Sequence, residues 1–240
     1  MSPCTPIEFS ISFQSTPLQG NHWQHPDSRA TALVLHGGGS SSAAGFGELR
    51  DFLYQRQISS IAFDHFGHGK SGGSQLGSTL AQRVAQVGAV IEQLTLRSEQ
   101  LSLIGFSMGA YVAALAAQSH TIPRLGLAIP AAYASAAYHV PFGPDFSQIL
   151  RTPRSWENSD AFDVIASYRG HLLVVSAEHD AVVPAEIPAR YHQQAGRSAS
   201  RHHHQIAGAG HNLSLHFAEL PQARVDAYEK IVALCLRENT

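Results

Sequence analysis

Leu101-Ser102-Leu103-Ile104-Gly105-Phe106-Ser107-Met108-Gly109-Ala110-Tyr111-Val112-Ala113-Ala114-Leu115 is the stretch that decides how the rest of the chain is read. It opens with apolar residues over a strand's length, breaks at a serine with glycine two positions away on each side, and resumes as alanine-rich, helix-forming sequence. A serine on so sharp a strand-to-helix turn sits in strained backbone, where the flanking positions have no room for side chains. The turn lifts Oγ of Ser107 clear of the sheet, and the helix N-terminus behind it favours negative charge on whatever Oγ attacks. The bland alternative is a glycine-rich β–α turn with a passenger serine, and the surrounding chain decides between the two.

Before that stretch, Ile7 to Phe13 alternates apolar and polar residues and predicts a half-exposed strand, while Asn21 to Arg29, with Pro26, reads as a turn region. Thr31–Leu35 and Ile58–Phe63 are short apolar runs of the kind expected in strands covered on both faces. They end in His36-Gly37-Gly38-Gly39 and in Asp64-His65-Phe66-Gly67-His68-Gly69-Lys70-Ser71. A helix is expected through Phe46, Leu49, Phe52 and Leu53, and Leu80, Val84, Val87, Ile91 and Leu94 mark an amphipathic helix whose stripe packs the core. Beyond the opening unit, strands are expected at Leu125–Ile129, Leu172–Ser176 and Arg201–Ile206, with helices after Pro184 and over Phe217–Leu236. Residues 131–170 read as a long irregular segment.

This alternation implies an α/β fold with a mostly parallel central sheet and helices on both faces, in one domain over 1–240. In such sheets the chemistry gathers outside the carboxyl ends of the strands. His36-Gly37-Gly38, Asp64, Ser107 and Asp180 each fall there.

Composition narrows the function. The chain has 240 residues, 44% hydrophobic and 14% charged, and a net charge of −2 gives no basic field for nucleic acid. Cys4 and Cys235 stand at opposite ends; a disulfide is open to them, but they have no metal or redox spacing. The first residues show no basic region leading into an apolar stretch, and no run approaches the roughly 20 residues that span a bilayer. A soluble, cytoplasmic protein without a membrane span is expected.

A serine hydroxyl is a weak nucleophile until a base takes its proton, and that base needs a partner to hold its tautomer. Asp180 follows a strand in Ser176-Ala177-Glu178-His179-Asp180, and His211 follows the next in Ala207-Gly208-Ala209-Gly210-His211. The order Ser107, Asp180, His211 is the one hydrolases of this architecture use. Glu178, nearer its strand, and Asp64 are the competing acids, although Asp64 reads better as the anchor of its own turn. His36, His65 and His68 are read as loop-shaping residues. His202 and His204 would share one face of a strand and could hold a metal weakly, but with no third ligand evident the run reads as a solvated strand. No cofactor or metal residues are assigned.

Taken together, His36-Gly37-Gly38-Gly39, Asp64 through Ser71, Gly105-Phe106-Ser107-Met108-Gly109, Glu178-His179-Asp180 with Val183-Pro184, and Gly210-His211 make the chain resemble an α/β-hydrolase over essentially its whole length. The resemblance implies Ser107 as nucleophile, His211 as general base and then acid, and Asp180 as the residue orienting it. It implies an oxyanion hole from the backbone N–H groups of Gly38 and Met108, with Gly37 or Gly39 as alternatives in the glycine run. Serine at 107 argues against the aspartate-nucleophile haloalkane dehalogenases and epoxide hydrolases. Prolyl aminopeptidase-like members usually carry tryptophan around the nucleophile and larger inserted domains, and neither appears here. In the family, the excursion at about 131–170 is a cap over the site; its Tyr133, Tyr138, Phe142, Phe146, Trp156, Phe162 and Tyr168 would suit an apolar acyl or alcohol group if they face the cleft, or would otherwise pack the cap. The expected substrate is a small to medium carboxylic ester cleaved through an acyl-enzyme, with an acyl-thioester as the alternative. A non-catalytic ligand-binding protein on the same fold is the alternative from another class.

Overall fold

A computed structural model describes residues 5–238. The reading of residues 1–4 as no leader, and the Cys4 end of any link to Cys235, lie outside the described residues. Eight strands form one sheet: β1 (Ile7–Phe13), β2 (Thr16–Trp23), β3 (Ala30–Leu35), β4 (Ile58–Phe63), β5 (Leu101–Phe106), β6 (Arg124–Ala128), β7 (His171–Ala177) and β8 (Ser200–Ile206). Their order is β1-β2-β4-β3-β5-β6-β7-β8; β2 runs antiparallel to both its neighbours, β1 and β4, and the remaining pairings are parallel. The central strands are apolar on both faces because both faces are covered. Leu33, Leu35 and Leu103 pack with α2 (Leu80–Gln93) and α3 (Met108–His120), whereas Ala32, Val34 and Ile104 pack with α1 (Gly47–Tyr54) on the other side.

Three sequence readings change. Asn21–Trp23, read as turn, belongs to β2, which pairs with both β1 and β4. The hairpin before it turns at Gln14 and Ser15, both at positive φ (49° and 61°), so it lacks the glycine or asparagine that usually betrays such a turn. The irregular segment 131–170 contains α4 (Pro144–Arg151) and α5 (Asp160–Ser167), each too short for helical periodicity to stand out. The closing helix is two: after α6 (Glu186–Gln194), α7 (Leu213–Glu219) and α8 (Pro221–Cys235) meet at Leu220. Pro221 excludes Leu220 from helical backbone (φ −126°, ψ 76°) and breaks the run there. No helix among the described residues is long and apolar enough to cross a membrane.

The register brings the loops of interest to one edge. Leu35 pairs with Gly105, Phe106 with Ala128, and Ala177 with Ile206, so the residues that follow each strand emerge side by side. At the centre, Ser107 caps α3 with φ 53° and ψ −118°. A Cβ on Gly109 would lie 2.4 Å from the Leu35 carbonyl oxygen and 2.5 Å from that of His36; one on Gly105 would lie 2.2 Å from the Gly109 carbonyl oxygen. All of these neighbours are backbone and cannot swing aside. Gly109→Ala is therefore expected to lower the unfolding free energy by about 3 kcal/mol or more. Urea unfolding checks this, and a midpoint equal to the parent's would contradict the packing described.

Candidate active site

Ser107 is held from both sides: its N–H donates to Ala128 O at 2.9 Å, and its carbonyl accepts from the N–H groups of Ala110 (3.0 Å) and Ala131 (3.2 Å). From this fixed base Oγ reaches His211 Nε2 at 3.1 Å. On the far side of the imidazole, Nδ1 lies 2.8 Å from Asp180 Oδ2. An ionised carboxylate only accepts, so Nδ1 carries the proton and Nε2 is left to accept from Oγ–H. The Asp180 side chain is only 7% exposed, and its other oxygen accepts from the N–H groups of Val182 (2.9 Å) and Val183 (2.8 Å). The chain just after Asp180 thus aims its carboxylate.

The competing acids are engaged elsewhere. Glu178 Oε2 accepts from Gly208 N–H at 2.7 Å, tying together the loops after β7 and β8. Asp64 accepts from Ala43 N–H (2.7 Å) and Lys70 N–H (2.9 Å), bracing its own turn. Met108 stands at the first position of α3, where an N–H has no intrahelical carbonyl to receive it. Gly38 approaches it closely: a Cβ there would meet Met108 Cε at 3.1 Å. Gly37 is nearer still to the serine, its added Cβ falling 3.3 Å from Ser107 Cβ, whereas one on Gly39 meets nothing within 4 Å.

The cleft over Ser107 encloses about 460 Å³. Gly37, Gly38 and Ile129 line it beside the serine, Ser40, Ser41, Asn212 and Ser214 add polar atoms, and Phe46, Phe106, Phe217 and Tyr228 supply apolar surface. Phe46 and Phe106 meet at a tilt with ring centroids 4.8 Å apart, and Phe217 meets Tyr228 edge-on at 5.7 Å. Ile129 adopts φ 42°, a conformation rare for a β-branched residue, and lines the same cleft as Ser107. The cap aromatics do not line this cleft. Tyr133, Phe142, Phe146, Trp156, Phe162 and Tyr168 are buried in the core layer of α2, α3 and α6, while the cleft opens toward α1, α7 and α8. Of the two readings open for these aromatics, the packing one fits their burial; Phe46 and Phe217 could have been found as the first aromatics after the glycine run and after His211.

The histidines 36, 65 and 68 form a buried cluster behind the glycine loop. His36 Nδ1 lies 2.8 Å from Gly37 O, and its Nε2 accepts from His65 N–H at 3.0 Å. His68 Nδ1 lies 2.8 Å from Ser41 O, and His65 Nδ1 lies 2.8 Å from Gln86 Oε1. Arg83 and Gln86, buried on the stripe side of α2, complete the cluster; as polar residues they leave no mark in an apolar periodicity. Burial first, then the Arg83 charge, lowers His36 to about 3 and also lowers His65 and His68, so all three are neutral. His203 of the exposed histidine run bonds Ser176 Oγ at 2.8 Å. No group of three or more His, Cys, Asp or Glu among the described residues could hold a metal ion.

Comparison with known proteins bears on this geometry. The family model Hydrolase_4, described as serine aminopeptidase, S33, matches residues 26–156. No curated protein sequence matches the chain. Among solved structures, DcsB in complex with its substrate analogue superposes at a TM-score of 0.74 with 13% identity, over 99% of this chain and 100% of that one. A monoacylglycerol lipase from Paleococcus ferrophilus gives 0.70 and 19%, over 91% and 98%. A thioesterase domain from the curacin biosynthetic pathway gives 0.68 and 18%, over 97% and 100%. With the sheet described above, these likenesses show the α/β-hydrolase fold.

The neutral histidines make stability depend on pH. An unfolded histidine takes up a proton below about pH 6.5, which the folded ones refuse, so this stability is complete above that pH. It is lost as pH falls through the window toward the lowered folded values, which for His36 reaches down to about 3. Burial gives His22, His203 and His204 the same sign. Unfolding free energy measured in urea should therefore fall steadily between about pH 6.5 and pH 5, above the range where carboxylates titrate. A flat profile across that window would contradict the neutral cluster.

Proposed function

The chain belongs to the Hydrolase_4 (serine aminopeptidase, S33) family of α/β-hydrolases, and from that premise we propose that it is a serine hydrolase of small to medium carboxylic esters. The observation that carries the reading is the continuous line Asp180 Oδ2, His211 Nδ1, His211 Nε2, Ser107 Oγ, with contacts of 2.8 and 3.1 Å. Ser107 Oγ attacks the ester carbonyl carbon while His211 Nε2 takes its proton, and Asp180 stabilises the imidazolium without accepting that proton. The carbonyl oxygen becomes an oxyanion received by the N–H groups of Gly38 and Met108. Collapse expels the alcohol, which receives the proton from His211 and leaves an acyl group on Ser107. Water, deprotonated by the same imidazole, then attacks this acyl-enzyme and releases the acid and the free serine.

Several features support an ester over other substrates. The cleft carries apolar walls from Phe46, Phe106, Phe217 and Tyr228, suited to a hydrocarbon or aryl group. An aminopeptidase needs an anion facing its substrate's ammonium, and no Asp or Glu is among the residues lining the cleft. The same atoms would open an acyl-thioester, and the fold shared with the thioesterase domain from the curacin pathway keeps that as the second substrate class. A purely ligand-binding role would leave the alignment of Ser107, His211 and Asp180 without a purpose. On this reading the chain is one hydrolase domain, with 131–170 as a cap-like excursion packed away from the cleft.

Hydrolysis of short and medium p-nitrophenyl esters, with matched acyl-thioesters, tests the assignment. Ser107→Ala should lower kcat by about a thousandfold or more, and Asp180→Asn by a similar factor through the wrong imidazole tautomer. Glu178→Gln should stay within about threefold of the parent, because its carboxylate serves a loop. A severe loss in Glu178→Gln with a mild one in Asp180→Asn would transfer the acid's role. Phe217→Ala, which trims surface touching ground and transition states alike, should raise KM before it lowers kcat, and Trp156→Ala should leave ester preference unchanged.

A further inference from the structure

Arg83 is 1% exposed, yet among the described residues no carboxylate pairs with it. Its Nη1 donates to Gly37 O at 3.2 Å, its Nη2 donates to His68 Nε2 at 2.5 Å, and its Nε is buried without a partner. The groups around it are neutral: His36, His65 and His68 act as Nδ1–H tautomers, and the Phe142 ring lies 5.2 Å from the guanidinium carbon. A buried guanidinium with no anion is costly, and an apolar residue would fill this place on α2 at less expense. Its position gives the reason. Gly37 O belongs to the peptide whose N–H is that of Gly38, and a trans peptide is planar, so fixing the oxygen fixes the direction of the N–H. Gly37 O also accepts from His36 Nδ1–H. A carbonyl drawn on by a cation and a second donor makes its own peptide N–H a stronger donor.

We propose that Arg83 is a positioning residue for the oxyanion site: by gripping Gly37 O it aims and polarises the Gly38 N–H toward the oxygen that becomes charged during acyl transfer. The inference rests on the serine-hydrolase reading above and adds a residue from α2, outside the cleft lining, to it. Arg83 never touches substrate. Its effect belongs to the transition state, since the ground-state carbonyl carries little of the charge that the stronger N–H would stabilise.

The test compares Arg83→Met with the parent in three measurements: kcat and KM for a p-nitrophenyl ester, inhibition by an aryl trifluoromethyl ketone, and inhibition by the carboxylate product. Ser107 Oγ adds to the ketone's carbonyl carbon as its proton passes to His211 Nε2, and the carbonyl π pair moves to the oxygen, leaving an oxyanion in the site. Arg83→Met should lower kcat by about tenfold or more, less than the loss of an oxyanion donor itself. KM should hold within about twofold, and the ketone's inhibition constant should rise by the same factor as kcat falls. Inhibition by the carboxylate product, itself an anion within reach of the same donor, should weaken in the same direction but by less. Arg83→Lys, which restores the cation, should recover part of each loss. If Arg83→Met does not fold, Arg83→Gln, with a neutral donor in place of the cation, makes the same comparison and carries the same expectation. Folded variants with parental kcat and ketone affinity, or a loss confined to KM, would overturn the inference while leaving the hydrolase reading intact. A parent that neither turns over the ester nor takes the ketone at Ser107 would overturn the reading itself, and the inference with it.

Discussion

Ser107 can occupy φ 53° and ψ −118° only because the backbone around it closes to distances that no side chain would permit. Gly109 rests against the carbonyls of Leu35 and His36, and Gly105 against the carbonyl of Gly109, so α3 begins in contact with the end of β3. That approach sets the serine beside the glycine loop at 36–39, and Ala128 and Ala131 tie it to the end of β6. The parallel register of β7 with β8 then presents the loops of Asp180 and His211 at the same edge. A strained residue persists because its surroundings over-determine it, and here the same surroundings bring Ser107 into line with His211 and Asp180.

Charge is distributed sparingly around this edge. One buried carboxylate, held by the N–H groups of Val182 and Val183, faces the imidazole, and one buried guanidinium faces the carbonyl of Gly37. Between Arg83 and the glycine loop lie histidines that burial keeps neutral, so they shape backbone without adding charge. The cleft itself is lined by aromatic rings and small polar groups, with the charges of Asp180, Asp64 and Arg83 held by backbone and side-chain partners around it.

Much of this was legible in the sequence because each element leaves a local mark. Gly105 and Gly109 signal the turn, continuous apolar runs signal buried parallel strands, Asp180 follows such a run, and His211 is marked by the small-residue turn Ala207-Gly208-Ala209-Gly210 before it. What escaped depends on relations across the fold. β2 pairs through backbone atoms and turns at Gln14 and Ser15, so its residues carry no alternating pattern to read. The face on which 131–170 packs is fixed by the crossover from β6 to β7, and composition gives aromatic content without direction. Arg83 sits three residues after Leu80 and four before Val87, inside the apolar stripe of α2, where a charged residue is itself a signal that hydrophobic periodicity does not count.

The central claim is that one serine is activated by the line of contacts through His211 to Asp180. Active-site labelling tests it most directly: the protein is treated with a fluorophosphonate, weighed intact, and mapped by peptide mass spectrometry. The account predicts a single adduct, on the peptide containing Ser107, that is absent from denatured protein and from His211→Ala under the same conditions. An unlabelled native protein, a label on another residue, or equal labelling of His211→Ala would contradict it.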